Sequence, residues 1–287
     1  MIANEGYYPM PGGLEPIYFR SWDPGNATSL LVCIHGAGGN SADYSFLAER
    51  LADPTRKHRY RIIAFDSPGS GLSEKNASVA AFAVQLQSIQ MLLRGASLPV
   101  SLLASSGGAI ASLTCLYQNR GESRLEKIPV ILSEPAVGFD AETIAYIEKC
   151  EPFLGNIFQN LDAAESAWDQ SGLGSLLFDD RRRKRMFIHG RLRPYAGALR
   201  PAIQRFDPHK VKFFNLLEGK GELQNPSLIL WGELSVLRER YSAHLSRALP
   251  NSETRVFSGA GHPLSLSRVK EVTAIAEFLD SRLVIRK

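Results

Sequence analysis

A short stretch of the chain, LLASSGGAIAS over residues 102–112, sets two serines and two glycines against an apolar run. A serine can attack a carbonyl carbon when it stands on a sharp turn between a strand and a helix. Such a turn needs small residues two positions before and two after the nucleophile, so that the backbones pass closely. Ser106 meets this rule, with Ala104 before it and Gly108 after it. The preceding serine does not, because Leu103 takes its first small position, so we predict Ser106 as the nucleophile if the turn does chemistry.

A serine hydroxyl is a weak nucleophile until a base takes its proton, and a third group must orient that base. Four of the six histidines lie in polar or charged stretches that are typical of the protein surface: His58, His189, His209 and His244. His262 follows a predicted strand in the loop GAGHP, shortly before the last helix. That place is at the carboxyl edge of an open α/β sheet, where such sheets bind ligands. We predict His262 as the general base.

The glycine-rich turn HGAGGN, which begins at His35, could serve a different purpose. Backbone N–H groups in such a turn can point at the negative oxygen that develops when a carbonyl is attacked. The usual pair of donors combines the residue after the nucleophile with an N–H from this loop. These residues are Gly107 and Ala37, which we predict as the oxyanion hole.

These residues can meet only if they follow strands that end at the same edge of a sheet. The sequence has the alternation of strands and helices that such a sheet requires. Longer helix-like stretches separate short apolar or β-branched runs, which are PIYFRSW, SLLVCIHG, YRIIAFD, PVSLLAS, IPVILSE, PSLILWGE and ETRVFSG. Alternating strands and helices predict an α/β fold, with a mostly parallel central sheet and helices on both faces.

Residues 138–223 interrupt this alternation, because they contain no clear buried strand. We predict a core of residues 1–137 and 224–287, with a helical insertion over 138–223. Six aromatic residues of the insertion could form its own core or line a pocket: Phe139, Phe153, Phe158, Trp168, Phe187 and Tyr195. Exposure to solvent, rather than contact with an acidic substrate, is expected for three of its arginines: Arg191, Arg193 and Arg200.

Composition and charge exclude several classes of function. The 287 residues are 44% hydrophobic and 22% charged, as in ordinary globular proteins. No apolar run nears the roughly 20 residues that cross a bilayer, and the start has no secretory signal pattern. The three cysteines form no metal-ligand pattern, so we expect a cytoplasmic protein without a bound metal. The net charge of +4 owes much to DDRRRKR over 179–185, which is more typical of a solvated helix face than of a nucleic-acid site.

Five stretches in order resemble the α/β-hydrolase superfamily, nearly from end to end of the chain: VCIHGAGGN, AFDSPGSGLS, LLASSGGAIA, LILWGE and FSGAGH. The resemblance implies the sheet of that fold, with residues 138–223 as a helical cap over an active site. It also implies serine-dependent hydrolysis of an ester, a lactone or a similar carbonyl compound, without a metal or an organic cofactor. A serine at residue 106 disfavours the dehalogenases and epoxide hydrolases of this fold, which attack with an aspartate.

One departure from the family pattern concerns the acid that orients the histidine. Members commonly carry an aspartate shortly after the WGE stretch, and this chain has Ser235 there. Some members, certain haloalkane dehalogenases among them, keep the acid at the end of the strand after the nucleophile strand, where this chain has Glu134. A buried carboxylate at the end of an apolar strand would be costly if it did nothing. The resemblance therefore favours Glu134 as the acid, with Glu233 as the alternative.

Two other classes of function stay open. A member of this fold can act without hydrolysis, as a cofactor-free oxygenase or a perhydrolase. The chain could instead be a ligand-binding protein, a view that only the missing aspartate at Ser235 favours. We expect a small-molecule ester or lactone as the partner, no nucleic acid and no membrane span, with a homodimer as an open option.

Overall fold

The computed structural model describes most of the chain. The described residues are 2–10, 16–52, 56, 58–73, 81–141, 145, 148, 153, 156–171, 181–201, 214–262 and 269–282. Within these residues, no helix combines the length and the apolar character that a membrane crossing requires.

Twelve strands are described, and eight of them form the central sheet. They are β1 (Ile2–Tyr8), β2 (Ile17–Asp23), β3 (Ser29–Ile34), β4 (Tyr60–Phe65), β5 (Val100–Ser105), β6 (Val130–Ser133), β7 (Gly138–Phe139), β8 (Leu192–Tyr195), β9 (Ala198–Pro201), β10 (Phe214–Asn215), β11 (Ser227–Gly232) and β12 (Ser252–Phe257). The sheet has the order β1-β2-β4-β3-β5-β6-β11-β12. Neighbours from β4 to β12 pair in parallel, whereas β1 and β2 add an antiparallel hairpin at one edge.

Helices cover both faces of this sheet. The described α-helices are α1 (Ser45–Leu51), α2 (Ala81–Gly95), α3 (Gly108–Gln118), α4 (Leu161–Gln170), α5 (Arg181–Gly190), α6 (Val236–Ala248) and α7 (Val269–Arg282). Buried side chains of α2, α3 and α6 belong to one apolar cluster, and those of α1 and α7 belong to another. The predicted α/β fold, with its mostly parallel sheet between two layers of helices, is confirmed.

The alternation of side chains along β3 shows how the sequence builds both layers. Val32 and Ile34 join the cluster of α2, α3 and α6, while Leu31 and Cys33 join the cluster of α1 and α7. All four are fully buried, which explains why the strand reads as one apolar run. Burying a side chain of valine or leucine size stabilises the fold by roughly 1.5–3 kcal/mol. The carboxyl ends of these rigid strands then carry the candidate site.

The described part of residues 138–223 contains more β-structure than the sequence predicts. The expected helices are present as α4 and α5, but β8 pairs with β9, and β7 pairs with β10. The β8–β9 turn places Ala196 and Gly197 at φ angles of 49° and 79°. Such a two-residue turn favours glycine or asparagine at its first position. Because Ala196 stands there, the sequence does not predict the hairpin. The division of the chain into core and cap stays a prediction.

The α4–α5 pair has its own apolar centre. Phe153, Phe158 and Trp168 are buried there, and Phe187 packs against them. The side chains of Phe139 and Tyr195 fall outside the description. On the outer side, Arg185 pairs with Asp162 of α4, which accounts for part of the basic run as a charged helix face.

Candidate active site

Ser106 lies on the turn between β5 and α3. Its φ of 47° falls in the left-handed region, which is strained for a residue with a side chain. Its N–H donates to Ser133 O at 2.9 Å, and its carbonyl accepts from the N–H groups of Ala109 and Ala136 at 3.0 and 3.1 Å. Gly36 passes so closely that a Cβ on it would lie 2.6 Å from the Cβ of Ser106. The candidate nucleophile therefore stands on a strained turn that its neighbours hold in place.

The side chain of His262 links Ser106 to Glu134. Its Nε2 lies 3.0 Å from Ser106 Oγ, and its Nδ1 lies 3.0 Å from Glu134 Oε2. An ionised carboxylate only accepts hydrogen bonds, so Nδ1 carries the proton and donates to Glu134. Nε2 then accepts from the Ser106 hydroxyl. The three side chains form one continuous chain of hydrogen bonds, in the order that a nucleophile, a base and an acid require.

Glu134 is fully buried, and a buried carboxylate needs several donors to stay ionised. Besides Nδ1 of His262, the N–H of Gly232 donates to Oε1 and the hydroxyl of Ser235 donates to Oε2. Its φ of 51° is again in the left-handed region, and its N–H donates to Leu230 O at 2.8 Å. Ser235, where the family pattern has an aspartate, is therefore in contact with the acid candidate.

Glu233, the alternative acid, lies on the solvent side of the same loop. It is exposed, and its Oε2 accepts from the hydroxyl of Ser258 at 2.8 Å and from the N–H of Gly259 at 2.9 Å. These two donors, the Gly259 N–H first, lower the pKa of Glu233 below its ordinary value. The carboxylate thus stabilises the turn at residues 258–259, while Glu134 contacts the imidazole.

The two predicted oxyanion donors come from loops that pass each other closely. A Cβ built on Gly107 would lie 3.7 Å from the nitrogen of Ala37. The loop of Ala37 is held by His35, which is buried. Its Nε2 accepts from the Ser67 N–H at 2.9 Å, so Nδ1 carries the proton and donates to Gly36 O at 2.7 Å. His35 therefore holds the loop in place by linking Gly36 to Ser67.

Residues 190 and 191 attach the insertion to this loop, a contact that sequence analysis missed. Arg191 forms a two-pronged ion pair with Asp43, at 2.6 and 2.7 Å, and its guanidinium lies over the ring of Phe187. The side-chain amide of Asn40 donates to Gly190 O at 2.8 Å. Burial lowers the pKa of Arg191, and the charge of Asp43 opposes that shift.

Two residues that were expected to be exposed are buried, and Arg193 and Arg200, for which exposure was also expected, are half-buried. Arg191 was predicted to face solvent but is buried, because Asp43 supplies the opposite charge from a distant part of the sequence. His58 was placed on the surface because charged residues surround it in RKHRY, yet it is 1% exposed and lies near the ring of Tyr60. His209 lies outside the described residues. Across the part of the chain that the structure describes, no group of three histidine, cysteine or acidic side chains could hold a metal ion.

Comparisons with known proteins agree with this architecture. A putative hydrolase from Rickettsia typhi superposes with a TM-score of 0.75 at 17% identity, over 99% of this chain and 100% of that one. E-2-(acetamidomethylene)succinate hydrolase gives 0.75 at 23% identity, over 96% and 100%. The thioesterase domain from the curacin biosynthetic pathway gives 0.71 at 19%, over 97% and 100%. The superpositions show that these proteins share the fold of this chain, and at such low sequence identity they show nothing more. The sequence model of the alpha/beta hydrolase family matches residues 31–275, so this chain belongs to the alpha/beta hydrolase family.

Proposed function

We propose that this protein is a serine hydrolase that cleaves a carboxylic ester or a lactone through an acyl-enzyme. The observation that carries the proposal is the continuous chain Ser106–His262–Glu134, with both of its hydrogen bonds at 3.0 Å. A hydroxyl needs such a base to become nucleophilic, and the base needs such an acid to hold its tautomer. Family membership agrees with this reading.

The first half-reaction transfers the acyl group to the protein. Ser106 Oγ attacks the carbonyl carbon while Nε2 of His262 takes the hydroxyl proton. The buried carboxylate of Glu134 stabilises the imidazolium that forms. The N–H groups of Ala37 and Gly107 receive the negative oxygen of the tetrahedral intermediate, a contribution of about 10²- to 10³-fold in rate per donor. His262 then protonates the leaving oxygen, and the carbon–oxygen bond of the ester breaks.

The second half-reaction returns the protein to its starting state. A water molecule takes the place of the leaving alcohol and gives a proton to Nε2 of His262 as its oxygen attacks the acyl carbon. The same backbone donors stabilise the second tetrahedral intermediate. Collapse returns the proton from His262 to Ser106 Oγ and releases the carboxylic acid.

We further propose that residues 138–223 form a cap that limits which substrates reach Ser106. The bonds from Asn40 to Gly190 and from Asp43 to Arg191 support this, because they join the insertion to the loop of the proposed oxyanion donor. The buried charge pair also favours one fixed contact at this point, since breaking it would leave an unpaired charge.

The ligand-binding alternative rested on the lack of an aspartate at Ser235. Glu134 supplies a carboxylate at 3.0 Å from the imidazole, which weighs against that alternative. A non-hydrolytic enzyme would use the same three side chains, and it would not accumulate a carboxyl-ester acyl-enzyme.

Covalent labelling tests the proposal. We expect a fluorophosphonate probe to modify Ser106, as seen by peptide mass mapping, because the probe reacts with activated serines beside an oxyanion hole. The matched controls are Ser106→Ala, which should abolish the label, and Ser105→Ala, which should keep it. A folded protein that takes no label at several pH values, or a label that persists in Ser106→Ala, would contradict the proposal.

A further inference from the structure

The segment of residues 40–44 touches several parts of the candidate site, although the proposed reaction gives it no role. It contains the 3₁₀ helix Ser41–Tyr44, and it directly follows the loop of the proposed oxyanion donor Ala37. The insertion contacts this segment through Gly190 and Arg191. The segment of residues 40–44 therefore connects the insertion to the oxyanion loop.

The carboxylate of Asp43 lies against the end of the oxyanion loop. Its Oδ2 accepts from the N–H of Asn40 at 3.2 Å, and a Cβ built on Gly39 would lie 2.7 Å from the same oxygen. The N–H of Gly39 donates to Gly36 O at 3.1 Å, which closes the turn that contains Ala37. Because the carboxylate and the turn are in direct contact, the position of one depends on the position of the other.

The other end of the segment reaches the turn of the candidate nucleophile. The hydroxyl of Tyr44 donates to Oγ of Ser105 at 3.4 Å, and Ser105 directly precedes the nucleophile. Tyr44 is 1% exposed, and this burial raises the pKa of its phenol, so the group stays protonated and can donate. The segment thus borders the loop of Ala37 at its start and the turn that leads to Gly107 at its end.

Arg191 holds Asp43 from the insertion side. The guanidinium lies 2.6 and 2.7 Å from the two carboxylate oxygens, and the arginine is 6% exposed. It also donates to Phe187 O at 3.1 Å, and it lies 3.3 Å from the centre of the Phe187 ring. A two-pronged pair of arginine and carboxylate fixes orientation as well as distance. The Asp43 carboxylate therefore takes its orientation from a residue of the insertion.

The core of the protein holds the same segment at a separate point. The N–H of Ser41 donates to Oδ1 of Asp66 at 2.7 Å, and Asp66, which follows β4, is buried. This bond does not depend on the insertion, so it keeps the segment attached to the sheet when the ion pair is broken. Breaking the pair should therefore shift the oxyanion donor without removing it, and cost less than the roughly 10²- to 10³-fold of a lost donor.

We propose that the ion pair between Asp43 and Arg191 positions the oxyanion hole, so that the attached insertion fixes where the N–H of Ala37 points. This inference rests on the proposed function, because it takes Ala37 as an oxyanion donor. Asp43 and Arg191 are positioning residues, which act through the backbone of residues 40–44. The insertion then contributes to stabilisation of the transition state, beyond its proposed control over which substrates enter.

The first test uses p-nitrophenyl acetate, a small ester that makes few demands on substrate entry. Arg191→Met removes the charge and keeps an unbranched side chain. We expect kcat to fall by about tenfold and KM to change by less than about twofold, since a shifted donor weakens binding of the transition state alone.

The matched control for Arg191→Met is Asp162→Asn. It breaks the exposed ion pair with Arg185 inside the insertion, and it should leave kcat unchanged. Equal losses of kcat in the two variants, or a raised KM with unchanged kcat in Arg191→Met, would overturn the proposal.

A further pair of variants separates positioning from stability. Asp43→Asn leaves the buried guanidinium of Arg191 without an opposite charge, so its Tm should fall. Asp43→Asn/Arg191→Met removes that charge as well, so Tm should largely recover while kcat stays about tenfold below the wild type. Recovery of kcat together with Tm in the double variant would show that the pair acts on stability alone, and would overturn the positioning role.

A readout without catalysis separates this inference from the proposed function. Amide hydrogen exchange, followed by mass spectrometry of peptides that cover residues 35–44, reports local opening of the loop directly. We expect faster exchange in Arg191→Met than in the wild type, and no change in Asp162→Asn. Faster exchange in Arg191→Met, combined with no ester cleavage by the wild type, would refute the hydrolase and support the link between the insertion and the loop. Unchanged exchange in Arg191→Met would overturn the proposal whatever the activity of the wild type.

Discussion

Strands β6 and β11 are neighbours in the sheet, and a glutamate follows each of them. The two glutamates differ in burial and in the groups that they contact. Glu134 follows β6, is fully buried and contacts His262. Glu233 follows β11, is exposed and contacts the turn at residues 258–259. The two strands pair in parallel, so both carboxylates start from the same edge of the sheet. Position at a strand end therefore does not decide which acid reaches the imidazole.

The backbone conformation decides which of the two carboxylates reaches the imidazole. Among non-glycine residues that the structure describes, positive φ angles occur at Ser106, Glu134 and Ala196. Two of these three belong to the proposed catalytic chain, and the third lies in a hairpin turn. Each strained residue costs of order 1–3 kcal/mol and persists only where its surroundings hold it. Glu134, at the end of β6, is held in a strained backbone conformation, and Glu233, at the end of β11, is not. The strained conformation sets the direction in which the Glu134 side chain points.

The largest expected effect separates the two carboxylates directly. Glu134→Gln keeps the shape of the side chain but removes the charge that orients and stabilises the His262 imidazolium, so kcat should fall on the order of 10⁴-fold. Hydrolysis of p-nitrophenyl butyrate measures this, and thermal unfolding checks that the variant is folded. Activity within tenfold of the wild type would remove Glu134 from the proposed mechanism.

Much of the fold was predictable because its signals are local. The apolar runs of β3, β5 and β11 are buried on both faces, and this burial is what produces their uninterrupted hydrophobic pattern. Strand β1 and the β8–β9 hairpin were missed. Strand β1 pairs on one side only with β2, and its IANEGYY sequence is half polar. The hairpin turns at an alanine rather than at an asparagine or a glycine.

The site was predictable where spacing carries the chemistry, and not where distant residues meet. The Ser106 turn follows from small residues at fixed offsets along the chain. The contact of Ser235 with Glu134 joins residues 101 positions apart, and the Arg191–Asp43 pair joins residues 148 apart. A charged residue in a polar stretch reads as exposed until its partner is known, which is why the burial of Arg191 was not foreseen.

A second, smaller effect tests whether the end of β11 contributes backbone contacts to the site, rather than the acid itself. A Cβ on Gly232 would lie 2.4 Å from Ala260 O, so Gly232→Ala must displace the loop that leads to His262. We expect a loss of about 1–3 kcal/mol in unfolding free energy, together with reduced turnover. Gly95→Ala is the matched control, because a Cβ at Gly95 meets nothing within 4 Å. Equal stability of the two variants would show that the 232–260 contact is not tight.

The smallest expected effect concerns Glu233, which should matter for stability and not for catalysis. Glu233→Gln removes an exposed charge that contacts the turn at residues 258–259, so turnover should stay within about twofold of the wild type. The Gly259 N–H and the Ser258 hydroxyl lower the pKa of Glu233 in the folded protein, below its ordinary value of 4.5. The charged carboxylate therefore stabilises the folded state above pH 4.5, and this contribution is lost as the pH falls through the lowered pKa.

Thermal unfolding as a function of pH measures that contribution. The Tm of Glu233→Gln should lie slightly below that of the wild type at pH 7, and the difference should vanish in the acid range below pH 4.5. Ser258→Ala removes one of the two donors and should show the same pH dependence with a smaller difference. A large loss of turnover in Glu233→Gln, with Tm unchanged at both pH values, would reverse the roles of the two strand ends and make the end of β11 the source of the acid.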